Sequence, residues 1–115
     1  MRDWRCDRGA QASRPGLLES AYEACLAIEL QHLGIPFERQ KPLAVQYRGQ
    51  GVDAAYRLDF VVASQLILEL KSVDRFEPIH IAQTLTYLRL TGYKLALLLN
   101  FNVPLLREGI KRVIL

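Results

Sequence analysis

Leu66-Ile67-Leu68-Glu69-Leu70-Lys71 is the stretch on which the fold turns. Read at a period of two, it places Leu66, Leu68 and Leu70 on one face of a strand and Ile67, Glu69 and Lys71 on the other. Just upstream, Tyr56-Arg57-Leu58-Asp59-Phe60-Val61-Val62 has the same rhythm. Tyr56, Leu58, Phe60 and Val62 share one face, leaving Arg57, Asp59 and Val61 opposite. If the two strands are antiparallel neighbours, Asp59 and Glu69 meet on one side of a sheet with Lys71 beside them. Two carboxylates sharing a site repel each other unless a cation or a proton intervenes. A hard divalent ion with oxygen ligands, Mg²⁺ or Mn²⁺, meets that need. The competing reading is a solvated sheet face with ordinary ion pairs, because Glu and Lys alternating with Leu make a common amphipathic strand. Against it stands Asp59, a residue type disfavoured in strands, in the middle of an apolar run.

Working outward, Leu18, Tyr22, Cys25, Leu26, Leu30 and Leu33 recur at helical spacing. They predict a helix over 17–33, stopped by Gly34 with Pro36 beyond. An extended stretch over 37–48 follows, and Gly49-Gln50-Gly51 turns it back into a strand over 52–63, as a hairpin. After the turn at Ser64-Gln65 comes the strand over 66–73. Pro78 suits the first turn of a second helix that closes at Gly92. The continuous apolar run 94–99 reads as a central strand buried on both faces, and 110–115 as a last edge strand. The order is helix, three strands, helix, strand. That is an α/β domain with one mixed sheet flanked by helices. Residues 1–15 are polar and basic and read as a flexible lead-in, with residues 16–115 forming the domain.

The chain of 115 residues has room for one domain with one core, and 50% hydrophobic against 23% charged residues is a globular balance. Formal net charge is +3, much of it in Arg2, Arg5, Arg8 and Arg14, a mild bias toward a polyanionic partner. The two cysteines, Cys6 and Cys25, make no CxxC pair and define neither a disulfide framework nor a zinc site. Cys25 reads as a small core residue. No apolar run reaches the ~20 residues that a membrane span needs. The expected location is the cytoplasm, with no membrane partner.

The helices add candidates. On a wheel of about 100° per residue, Glu19 falls between Leu26 and Leu30 at the border of the apolar stripe, with Glu23 one turn along the same edge. The alternative for Glu19 is a glutamate complementing the helix dipole; Glu23 reads as surface or as a neighbour of the site. In the second helix His80, Gln83, Thr84 and Tyr87 form a polar stripe beside Ile81, Leu85 and Leu88. Gln83 and Tyr87 are spaced to reach over the sheet toward a phosphate or a carboxylate, although a plain hydrophilic face gives the same pattern. His80 lacks a second ligand at zinc spacing. No Gly-rich phosphate loop and no GxSxG motif occurs, which sets aside hydrolases with a covalent serine nucleophile of that kind.

Gly16-Leu17-Leu18-Glu19-Ser20-Ala21-Tyr22-Glu23 resembles the signature of the bacterial GxxExxY proteins, and the chain from Pro15 to Leu115 is similar to them throughout. Supporting stretches are Gly34-Ile35-Pro36-Phe37-Glu38-Arg39-Gln40, Tyr56-Arg57-Leu58-Asp59-Phe60, Leu68-Glu69-Leu70-Lys71-Ser72-Val73 and Ile79-His80-Ile81-Ala82-Gln83. That family is placed in the PD-(D/E)XK nuclease superfamily, whose restriction-endonuclease-like core is a helix, three strands, a helix and a strand. By this resemblance Asp59 stands for the motif's lone acid, Glu69-Leu70-Lys71 for its E-x-K triplet, and Glu19 for the helix-borne acid. Gln83 and Tyr87 resemble the QxxxY element of recombination-type exonucleases. Where the family usually has an apolar helical segment before its signature, this chain has the Arg-rich stretch from Met1 to Ser13.

The implied activity is hydrolysis of DNA or RNA phosphodiester bonds with Mg²⁺ or Mn²⁺ held by Asp59, Glu69, the Leu70 carbonyl and Glu19. Lys71 would orient or deprotonate water, and Gln83 and Tyr87 would position the substrate. The rival is a catalytically inactive module of the same fold that binds nucleic acid or protein. A homodimer is also expected, since pairing two protomers doubles the basic surface.

Overall fold

Ala63 (φ 53°) and Ser64 (φ 56°), both left-handed, turn the chain between the strand that carries Asp59 and the strand that carries Glu69, and the Gln65 N–H closes the turn on the Val62 carbonyl at 3.1 Å. The computed structural model describes residues 15–52, 56–103 and 106–115. Helix α1 spans Pro15–His32, and Pro15 is its first residue; the lead-in expected over the residues before it lies outside the described part. Strands β1 (Phe37–Pro42), β2 (Val45–Tyr47), β3 (Gln50–Val52), β4 (Arg57–Val62) and β5 (Leu66–Lys71) come next. Helix α2 (Pro78–Thr91), β6 (Leu95–Asn100), a 3-10 turn Leu106–Gly109 and β7 (Ile110–Ile114) complete the chain.

The main sheet has the order β1-β4-β5-β6-β7. Only β5 and β6 run parallel, joined through α2; the other pairings are antiparallel. This is the mixed α/β architecture that the pattern predicts. The helix ends follow local chemistry: Gly34 (φ 72°) and Gly92 (φ 81°) take the left-handed conformation that closes a helix, and Pro78 occupies the first turn of α2.

Each face of the sheet has its own core. Phe60, Val62, Leu68, Leu70 and Leu99 face Tyr22, Leu26, Ala27 and Leu30 of α1, with the Tyr22 ring stacked on Phe101 at 4.3 Å. Leu58, Val61, Ile67, Ala96, Leu98 and Val113 face Tyr87 and Leu88 of α2. With a helix on either side, β5 is buried along Ile67–Leu70, which holds Glu69 in a rigid, dry setting.

The structure corrects four sequence expectations. The single long hairpin is two ladders: β1 pairs with β4, while β2 and β3 form a separate two-stranded sheet at its tip, turned by Arg48 (φ 51°) and Gly49 (φ 77°). Leu58 does not share a face with Phe60 and Val62, because the chain rolls at Asp59. Leu33, expected in the apolar stripe, lies past the end of α1 and is exposed. Cys25 is half-buried and disulfide-bonded rather than a free core thiol, with its partner outside the described residues.

Phe60 is fully buried, so Phe60→Ala is expected to cost about 3–5 kcal/mol. Ile28, 62% exposed on the outer side of α1, is expected to cost under about 0.5 kcal/mol on the same truncation. Urea-unfolding midpoints of the two variants test the pair.

Candidate active site

Strands β4 and β5 pair at Val62↔Leu66, Val61↔Ile67 and Phe60↔Leu68, and then the ladder stops. Where the next rung is due, side chains replace carbonyls. The Asp59 N–H donates to Glu69 Oε2 at 2.8 Å, and the Leu70 N–H donates to Asp59 Oδ2 at 2.8 Å. Each strand's carboxylate thus takes a backbone hydrogen bond from the other, and the strands fork around the pair. Asp59 is tolerated in β4 because its short side chain accepts a strand N–H that would otherwise be orphaned. Across β4, Gln40 stands opposite Asp59 between the pairs Arg39↔Phe60 and Lys41↔Leu58, left-handed at φ 49° and outside the ladder. In extended chain the N–H and C=O of one residue point the same way. The Leu70 carbonyl therefore also points into the fork.

The electrostatics are unfavourable to two full charges. Glu69 is 4% exposed, and burial first, then the Asp59 carboxylate, pushes its carboxyl up to about 8. Asp59 is raised as well, chiefly by burial, with Glu23 and Glu19 adding to the rise; the Leu70 N–H and the Lys71 ammonium pull against it. Neither Asp59 Oδ1 nor Glu69 Oε1 accepts a hydrogen bond among the described residues. A buried, acidic pair with two unsatisfied hard oxygens has the donor chemistry of a divalent-cation site. No three His, Cys, Asp or Glu side chains are gathered as a ligand cluster among the described residues, however. Glu19 is close, but its Oε2 accepts the Ser72 N–H at 3.1 Å, tying α1 to the chain just after β5.

Helix α2 divides its expected polar stripe. Tyr87 is buried, packs edge-on against Tyr56 at 5.8 Å, and its hydroxyl is pushed up to about 12 by burial and then by the Glu69 and Asp59 charges. Gln83 is exposed, with its side chain against the Tyr87 hydroxyl. Thr84 is buried and donates to the His80 carbonyl at 2.8 Å. His80 is structural, since its Nδ1 accepts the Glu77 N–H at 2.9 Å at the start of α2.

Sequence reasoning misses two residues. Asn100 is buried at the end of β6, where its Oδ1 accepts the Val73 N–H at 3.1 Å and its Nδ2 donates to the Val73 carbonyl at 2.8 Å. That clamp fixes the chain two residues beyond Lys71. A lone amide closing the run Leu95-Ala96-Leu97-Leu98-Leu99-Asn100 is its signal. The second is Gln40, whose side chain donates to Glu23 alongside Arg39; nothing local marks it.

A sequence model of the PD-(D/E)XK nuclease superfamily matches residues 10–113. The chain belongs to the PD-(D/E)XK nuclease superfamily. No curated protein and no solved structure gives a match. The five-stranded mixed sheet between helices is consistent with the restriction-endonuclease-like fold of PD-(D/E)XK proteins. Nucleases of the superfamily act on nucleic acids and generally use divalent metals. Among the described residues no helix is long and apolar enough to cross a membrane.

The raised Glu69 carboxyl links stability to pH. Unfolded, the group titrates near 4.5; folded, near 8. Between those values the folded state holds the extra proton, so stability falls as pH rises through that window. Glu69→Gln keeps an acceptor for the Asp59 N–H without a charge. In EDTA its urea midpoint is expected to match wild type near pH 4 and to exceed it increasingly toward pH 9.

Proposed function

We propose that this PD-(D/E)XK domain is a divalent-metal-dependent nuclease that hydrolyses phosphodiester bonds of DNA or RNA. The observation that carries the reading is the fork: two buried carboxylates, interlocked through backbone N–H groups, with one unsatisfied oxygen each and Lys71 adjoining. Asp59, Glu69 and the Leu70 carbonyl are the residues that would hold Mg²⁺ or Mn²⁺, with Glu19 joining directly or through water. When bound, the ion supplies Lewis acidity and neutralises phosphate charge. Lys71 orients or deprotonates the attacking water and offsets charge that builds on the phosphate. Gln83, exposed beside the Tyr87 hydroxyl, positions the substrate strand. Within the superfamily, Gly16, Glu19 and Tyr22 favour the GxxExxY proteins, and a homodimer fits the small basic surface.

One observation favours the second reading, an inactive module that binds nucleic acid or protein: Glu19 is engaged by the Ser72 N–H, and no three-acid cluster is formed among the described residues. The two readings separate in one assay. With labelled DNA and RNA in Mg²⁺ or Mn²⁺, wild type is expected to cleave, and Asp59→Asn and Lys71→Ala are each expected to lose roughly 100-fold or more in rate. Cleavage undiminished in both variants overturns the site. Association without cleavage, persisting in EDTA and in Glu69→Ala, selects the inactive module.

A further inference from the structure

The β2–β3 hairpin springs from the end of the sheet that carries the acids. Strand β1 ends at Pro42, paired with Arg57, and Asp59 is two residues along β4 from that pair. The hairpin is too small to be a core element: Val45 is half-buried and the rest of both strands is exposed. A two-stranded sheet of this size has little stability of its own. Yet it carries Tyr47, 66% exposed, at the shoulder of the turn, with the Arg48 guanidinium 6.0 Å from the ring centroid. An aromatic ring left in water beside a cation is a platform for something planar and anionic.

The charges on this stretch point the same way. Arg39 is paired with Glu23 and Lys41 with Glu38. Arg48 and Arg57 have no acidic partner among the described residues; Arg57 only reaches the Gln40 carbonyl at 3.4 Å. Tyr47 is seven residues along the chain from Gln40, which faces Asp59. At the ~3.3–3.6 Å per residue of extended chain, the Tyr47 Cα therefore lies no more than ~25 Å from that of Gln40, one strand over from the acids.

Resting on the nuclease reading above, we infer that the β2–β3 hairpin grips single-stranded nucleic acid: Tyr47 stacks on an unpaired base, and Arg48 and Arg57 take phosphates leading to the fork. Single strands are specified because a base face is open to an aromatic ring only when the base is outside a continuous duplex stack. Sequence preference is not expected, since every base offers a π-face.

Fluorescence anisotropy in EDTA tests this without cleavage, using the full chain with a labelled 15-mer of deoxythymidine, a 15-mer of uridine and a 15-base-pair DNA duplex. Expected are tighter binding of at least one single strand than of the duplex, a roughly tenfold weaker Kd in Tyr47→Ala, and near wild-type binding in Tyr47→Phe. Arg48→Ala is expected to reduce the salt dependence of binding by about one phosphate contact. Tyr47→Ala binding like wild type, preference for the duplex, or no binding by wild type overturns the grip. The chemistry is judged separately: if Asp59→Asn cleaves like wild type while Tyr47→Ala has lost binding, the grip stands and the catalytic site falls. Melting followed by circular dichroism checks that the exposed-residue variants remain folded.

Discussion

Two carboxylates end the β4–β5 ladder, and the rest of the molecule is arranged around that termination. A sheet selected only for stability would close the next rung with backbone carbonyls. Here Asp59 and Glu69 accept those hydrogen bonds instead. Backbone hydrogen bonds of about 0.5–1.5 kcal/mol each, more where the acceptor is ionised, offset part of the cost of burying two acids side by side. The offset is incomplete, and what remains of that cost is visible in the Glu69 carboxyl, held protonated up to about 8.

The surrounding elements make this local conflict tolerable. Strand β5 is buried along its middle, so the backbone that donates to Asp59 cannot relax away. Glu19 ties α1 to Ser72, and Asn100 ties Val73 to the end of β6, so the chain on the far side of Lys71 is held from two directions. Gly109 completes the packing there: a Cβ on it would run into the Asn100 carbonyl, and only glycine allows that approach. The fork is rigid because it is anchored on strands and clamps rather than on loops.

Much of this is legible in the sequence because it is local. Gly34, Pro78 and Gly92 mark helix ends through their own backbone preferences, and the alternation of Leu with Glu69 and Lys71 places β5 without reference to any neighbour. What escapes reading depends on pairing across the sheet. Strict alternation puts Leu58 with Phe60; the roll at Asp59, which sends them to opposite cores, goes with an N–H turned to Glu69 instead of to the ladder. Gln40 is left-handed opposite that roll, and no residue near it in sequence announces the fact. Helical spacing places His80 in a polar stripe with Gln83 and Tyr87, but its ring nitrogen is spent on the Glu77 N–H, a contact set by where α2 begins. The acid pair itself is readable from two strands; whether Glu19 joins it depends on a helix packed from a segment forty residues upstream of Asp59.

The hydrogen bonding of the fork bears on how it would hold a cation. Burial and the Asp59 carboxylate raise the Glu69 carboxyl, and Glu19 is occupied by a backbone donor, so the arrangement keeps like charges apart. On the proposed reading a divalent ion held by Asp59 and Glu69 would compete with a proton for the Glu69 carboxylate. The burial that raises the Glu69 carboxyl also weakens screening around it, so a cation held by the pair would interact with it strongly. Affinity and protonation are then two expressions of one quantity, the free energy of holding Asp59 and Glu69 together in a dry site. Weakening that burial, by opening the α2 side at Tyr87, whose hydroxyl feels both carboxylates, would lower the carboxyl toward its ordinary range and relax the need for a cation at the same time.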